Sequence, residues 1–147
     1  MPDVFETTVS LRFFGDDLDP DEISALLGAL PSSSVRKGDI SVSKRGIERT
    51  ARTGRWLLDV VHRQPGDLDG QVVELLSPLT SDTAVWRSLV ARFEADIFCG
   101  LFMKEHNEGF ELRPETLAMI GARGLRLGID IYGPSPREAD EPKGDMN

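Results

Sequence analysis

The stretch Gly15-Asp16-Asp17-Leu18-Asp19-Pro20-Asp21-Glu22-Ile23, running on through Leu26, Leu27 and Gly28, decides how the chain is parsed. Asp19 suits a helix N-cap, Pro20 the first helical position, where its missing N–H costs nothing, and Glu22 the third, completing a capping box. Leu18 and Ile23 bracket the cap as a hydrophobic staple. Upstream, Phe5, Thr7, Val9, Leu11 and Phe13 alternate with Glu6, Thr8, Ser10 and Arg12, the period of a half-buried strand. Downstream, Ile23, Leu26, Leu27 and Leu30 recur at helical spacing until Pro31. The stretch is therefore a hinge from a first strand into a first helix.

Segment 32–46 is rich in serine, glycine and charge and allows only a short edge strand, around Val35 or from Ile40 to Val42. Residues 54–62 alternate as a strand, with Trp56, Leu58 and Val60 on one side and a Gln64-Pro65-Gly66 turn after it. Two helical pieces follow, around Val72–Leu76 and Val85–Phe93, broken at Pro78, with Ser81 or Asp82 as a cap for the second. Residues 95–103 are apolar on both faces, which places them in the middle of a sheet covered on both sides, or by helices and a neighbouring chain. A hairpin loop at 104–109 should lead into Phe110-Glu111-Leu112. Pro114 opens a further helix, Gly124 ends it, and Leu125, Leu127, Ile129 and Ile131 mark a last strand.

These elements predict an α+β fold: a mostly antiparallel sheet with two or three helices packed chiefly on one face, as a ferredoxin-like sandwich. A single globular domain is expected over residues 1–133, with a disordered acidic tail over 134–147. Leu18-Asp19-Pro20 and Leu112-Arg113-Pro114 are each followed by apolar residues five and eight places beyond the leucine, a faint echo that would suit two related halves.

At 147 residues the chain is long enough to bury a core without disulfide or metal. Its one cysteine, Cys99, lies in an apolar strand and implies a reducing compartment, so a cytoplasmic location is expected. No stretch approaches the ~20 apolar residues of a membrane span. The net charge of −8 argues against a dedicated nucleic-acid binder, but the charge is segregated. Residues 36–55 hold seven basic residues, Arg36, Lys37, Lys44, Arg45, Arg49, Arg52 and Arg55, against Asp39 and Glu48, a net +5 that leaves −13 for the rest. Such a window is a solvated loop with internal ion pairs, a phosphate or acidic-partner surface, or a catalytic arginine site.

Asp16 and Asp17 are not needed for the cap and are free to hold a basic group, Arg36 and Lys37 being nearest in sequence. The Asp17, Asp19, Asp21 spacing opens like a calcium loop, yet Glu22 stands where that loop needs glycine and Gly28 where it needs glutamate. Trp56 either stacks a flat ligand or, with Leu58 and Val60 on its side, belongs to the core. His62 and His106 lack the spacing of a zinc site, Cys99 has no electropositive setting, and no Gly-x-Ser-x-Gly elbow or phosphate-binding glycine loop occurs. No catalytic residue, metal or cofactor is assigned.

The Gly15–Pro20 block, the Arg36-Lys37-Gly38-Asp39 block after the first helix, the Thr53-Gly54-Arg55-Trp56 strand start, and the closing Gly109-Phe110-Glu111-Leu112 to Asp130-Ile131-Tyr132 region occur in an order that resembles the bacterial family called domain of unknown function 4279. One departure is Arg113, where a serine-like cap would be more usual. The resemblance implies an α+β fold and a bacterial origin, and it implies no reaction.

The expected role is a non-enzymatic protein-interaction or regulatory module. The alternative is a small-ligand or anion-binding protein, or an enzyme, using an acidic and basic pocket built from Asp16, Asp17, Arg36, Lys37, Arg52, Arg55 and Trp56. The expected partner is another protein or a small anionic ligand, with no membrane role; nucleic acid is disfavoured, weak binding through Arg45, Arg49 and Arg52 being a third reading, and residues 95–103 leave room for a homodimer through the sheet.

Overall fold

A computed structural model describes residues 2–135. The tail expected over 134–147 therefore lies, from residue 136, outside the described residues. Five strands form one sheet in the order β2-β5-β1-β6-β7: β1 (Glu6–Gly15), β2 (Ser33–Val35), β5 (Gly54–Asp59), β6 (Glu94–Phe102) and β7 (Arg126–Tyr132). The remaining strands, β3 (Ile40–Val42) and β4 (Glu48–Thr50), pair only with each other. Every pairing is antiparallel except β6 with β7. The four helices are α1 (Pro20–Leu27), α2 (Leu68–Leu76), α3 (Thr83–Arg92) and α4 (Pro114–Ala122).

Period-two patterning decides which face of the sheet is closed. On one face Val9, Leu11 and Phe13 of β1, Trp56 of β5, and Ala95, Ile97, Cys99 and Leu101 of β6 are buried in a single cluster. Ile23 and Leu27 of α1, Leu68, Val72, Leu75 and Leu76 of α2, Trp86 and Leu89 of α3, and Ile120 of α4 belong to the same cluster. The opposite face carries Arg12, whose guanidinium binds both oxygens of Asp96 at 2.8 and 2.7 Å and lies 4.2 Å from the Phe98 ring centroid. Phe102 stacks on Tyr132 at 4.8 Å between centroids. The apolar residues on the second face of β6 are thus covered by a cation and a neighbouring ring. No helix is needed there.

The hinge folds as its sequence dictates, with one difference. Asp19 accepts from the Asp21 N–H at 3.0 Å, Pro20 opens α1, and Gly28 closes it at φ 81°, where only glycine is unstrained. Leu18 and Ile23 are both buried. Glu22 does not return to the cap; it binds Arg92 of α3 at 2.8 Å, so the capping box is half made and its second half ties two helices together. Gly54 is required where β5 meets the hinge, because a Cβ there would lie 2.7 Å from the Gly15 carbonyl oxygen.

Four expectations are corrected. Helices number four among the described residues, in place of two or three, since the pieces either side of Pro78 are separate helices and Asp82 caps the second by accepting from Ala84 N–H at 2.9 Å. Residues 110–112 form no strand. Glu108 instead folds back to accept N–H groups from Phe5, Lys104 and Glu105, and α4 then carries the chain over to a strand parallel to β6, the kind of crossover a parallel pair requires. The β-α-β-β-β-β-α-α-β-α-β order, with a detached hairpin, departs from the β-α-β-β-α-β ferredoxin-like pattern. The two halves suggested by the leucine-proline echo bury different members: Ile23 and Ile120 are core, whereas their counterparts Leu117 and Leu26 are exposed.

α4 starts without a side-chain cap at Arg113. Asp69 of α2 accepts instead from the Arg113 N–H at 2.8 Å and from its Nε at 2.9 Å. Burial alone would raise the Asp69 carboxyl, but these bonds hold it below the usual carboxylate value.

Candidate functional site

Between β2 and β5 the chain leaves the sheet as the β3–β4 hairpin. Its stem is closed by Ala51 N–H to Asp39 O at 2.8 Å and Gly38 N–H to Ala51 O at 2.9 Å, and its tip by Ser43, whose N–H donates to Ile47 O while its Oγ accepts from Ile47 N–H. Because the hairpin stands off the edge of the sheet, it encloses a cleft of about 1060 Å³ floored by Phe14 and Val35 and walled by Ile40, Arg49, Arg52 and Arg55. Among the described residues Asp39 is the only acidic one lining it, and that carboxylate already accepts the Arg36 N–H at 2.8 Å.

The residues singled out from the sequence separate into distinct places. Arg36 reaches Asp19 at 2.9 Å and Asp21 at 3.1 Å, and Lys37 reaches Asp16 at 3.2 Å. These pairs form a latch from the loop to the start of α1, in which Arg36 chooses the helix-start aspartates and not Asp16 or Asp17. Hydrogen bonds from Lys37 and then Thr53 hold the Asp16 carboxyl below its ordinary value. Asp17 is exposed and makes no ion pair among the described residues. Trp56 is fully buried on the helix side, donating from Nε1 to Ser24 Oγ at 3.1 Å and meeting Phe13 edge-on at 5.8 Å, so it presents no face to a ligand. Arg52 and Arg55 are brought together in the cleft.

Of the cleft residues, only Arg52 and Arg55 belong to the sequence-derived set; Arg49 and Phe14 are the most telling of those outside it. Arg49 lay in the basic window, but only the hairpin pairing Ser41↔Arg49 shows that it belongs with Arg52 and Arg55. Phe14 left a legible signal: it is the aromatic that breaks the polar series Glu6, Thr8, Ser10, Arg12 on the outer side of β1.

Among the described residues no carboxylate comes within ion-pair distance of Arg49, Arg52 or Arg55. Each guanidinium offers up to five N–H donors in a fixed fork suited to carboxylate or phosphate. Beside them the cleft is lined by the carboxylate of Asp39 and the hydroxyls of Ser41, Thr50 and Thr53, with no histidine or cysteine among the described residues. The Cys99 thiol sits in the core, where burial, and then the charge of Asp96, push it up to about 12. Among the described residues no group of three or more His, Cys, Asp or Glu side chains is placed to hold a metal, and no helix is long and apolar enough to cross a membrane.

The fold and cleft define a class: an α+β domain with one helical layer on a mostly antiparallel sheet and an arginine-lined cleft at one sheet edge. The chain belongs to the family described as domain of unknown function (DUF4279), whose model matches residues 5–134. No curated protein and no solved structure matches the chain.

Proposed function

We propose that the protein is a non-enzymatic interaction module whose β3–β4 cleft takes an acidic segment of another protein. The observation that carries this is the convergence of Arg49, Arg52 and Arg55 on one cleft without a carboxylate partner among the described residues. Unpaired guanidiniums at a concave surface favour an anionic occupant. A chain-like occupant is favoured over a small one because the hairpin carries apolar side chains in the open: Ile40 is 65% exposed, Val42 64% and Ile47 53%. Exposed apolar groups beside a charged groove suit a partner that brings both kinds of contact.

The test is capture of partners by the tagged full chain from its native host after nuclease treatment, with polyglutamate as competitor. A stoichiometric protein that polyglutamate displaces, and that the Arg49→Ala, Arg52→Ala, Arg55→Ala triple variant fails to retain, is the expected result. If no protein is retained and phosphate or a small dicarboxylate raises the Tm of the wild type only, the cleft is a small-anion site, the second use its 1060 Å³ hollow allows.

A further inference from the structure

The far edge of the sheet presents a second surface, independent of the cleft. β7 is the last strand in the order, and its outer side has no backbone partner among the described residues. The Met103 N–H bonds the Tyr132 carbonyl at 2.9 Å, so the backbone groups of Tyr132 turn toward the β6 side. Strand alternation then turns those of Asp130, Gly128 and Arg126 the same way, and sends the N–H and C=O groups of Leu127, Ile129 and Ile131 outward. Edge strands are commonly blunted by brevity, proline, bulges or inward charge. β2, the opposite edge, is three residues long, whereas β7 runs for seven with neither proline nor bulge. The apolar side of β7 is also incompletely covered: Leu127 and Ile129 are half-buried, Ile131 is 64% exposed and Tyr132 50%.

We infer that β7 pairs antiparallel with β7 of a second copy about a two-fold axis at Ile129, joining two five-stranded sheets into one. In that register Ile129 faces its symmetry mate and Leu127 faces Ile131. All outward groups are then satisfied by about six main-chain bonds, two for each of three facing pairs. Leu127, Ile129 and Ile131 share the helix side of the sheet with Ile97, Cys99 and Leu101, so the pairing continues an apolar layer. On the open side Arg126 faces the Tyr132 ring of the second copy and stands diagonal to its Asp130, an opposite-charge contact made twice by symmetry. A shift of two residues toward the C-terminal end would set Asp130 against Asp130 and lose a bonded pair. Charge and hydrogen bonding thus select one register, and the strand is complementary to itself.

The experiment is sedimentation equilibrium of the full chain as a function of concentration. A contact confined to edge strands is smaller than a standard interface of about 1,600 Å², so association is expected within chain concentrations up to about 1 mM. Ile131→Pro deletes an outward N–H without touching the β6–β7 ladder and should leave a monomer with the wild-type circular dichroism. Arg126→Glu should weaken the dimer about tenfold, and adding Asp130→Lys should restore it. This charge exchange keeps the test decisive if the proline variant does not fold. A wild type monomeric throughout, or a dimer indifferent to both single variants, overturns the inference. So does strong hydrogen-exchange protection of the Leu127, Ile129 and Ile131 amides in dilute monomer, which would mean that the chain covers this edge itself.

Discussion

The two ends of the basic window behave as opposites. Arg36 and Lys37 are neutralised at once by Asp19, Asp21 and Asp16, carboxylates whose helix start sits beside the loop. Arg49, Arg52 and Arg55, a dozen or more residues further along the same window, face a cleft whose only carboxylate among the described residues is already engaged. In sequence the two groups look alike. The difference lies in which side chains the fold brings within reach of a carboxylate, and it teaches that a charge cluster is a candidate binding surface only after its internal partners have been subtracted.

The comparison can be broken most forcefully on β5, where Arg55 lines the cleft and its neighbour Trp56 fills the core. Trp56→Ala should cost roughly 3–5 kcal/mol in a urea titration through lost packing and an unpartnered Ser24. Arg55→Ala should move stability by no more than about 0.5 kcal/mol; equal effects would mean that the two faces are not separated as described. Reversing the cleft charges with Arg49→Glu, Arg52→Glu and Arg55→Glu together should lower affinity for the captured partner at least 30-fold, about 2 kcal/mol, with the fold retained. The same reversal at Arg36 and Lys37 should leave affinity within about twofold, since those side chains are outside the cleft.

Removing the cap with Asp19→Ala is expected to cost about 1 kcal/mol, because it deletes the acceptor for Asp21 N–H as well as one carboxylate of the Arg36 pair. The smallest effect sharpens the latch itself. Lys37→Ala should destabilise slightly at neutral pH, and the difference should vanish on acidification. The folded-state Asp16 carboxyl lies below its unfolded value of about 3.9, so its contribution is present above that value and disappears as pH falls through the lower folded one. Chemical denaturation of both proteins at several pH values between about 2 and 7 checks the convergence. A gap that persists in acid would assign the Lys37 effect to something other than Asp16.

Much of the local structure was legible in the residues. Asp19-Pro20 placed the start of α1, the alternation from Phe5 to Phe13 placed β1, and Pro78 separated α2 from α3. What was not legible depended on partners far along the chain. Glu22 looked like the second half of a capping box, but Arg92 competes for it from α3 with a full charge. Phe110-Glu111-Leu112 looked like a returning strand, but Glu108 collects three backbone donors and turns the chain toward α4. The candidate site was half legible. Arg52 and Arg55 line one cleft, while Asp16, Arg36 and Lys37 are each other's partners or the helix start's.

By itself the sequence determined the α+β class, the principal strands and the capped helices, because these follow from period, proline placement and short-range hydrogen bonds, all confined to a few residues. It also determined that Trp56 shares a side with Leu58, since a strand alternates whatever its neighbours are. Only the tertiary structure decided strand order, the parallel placement of β7, and which arginines remain without a carboxylate. Those outcomes depend on which residues distant in sequence come within a few ångströms, and Coulombic neutralisation, like backbone pairing at a sheet edge, is set by that distance alone.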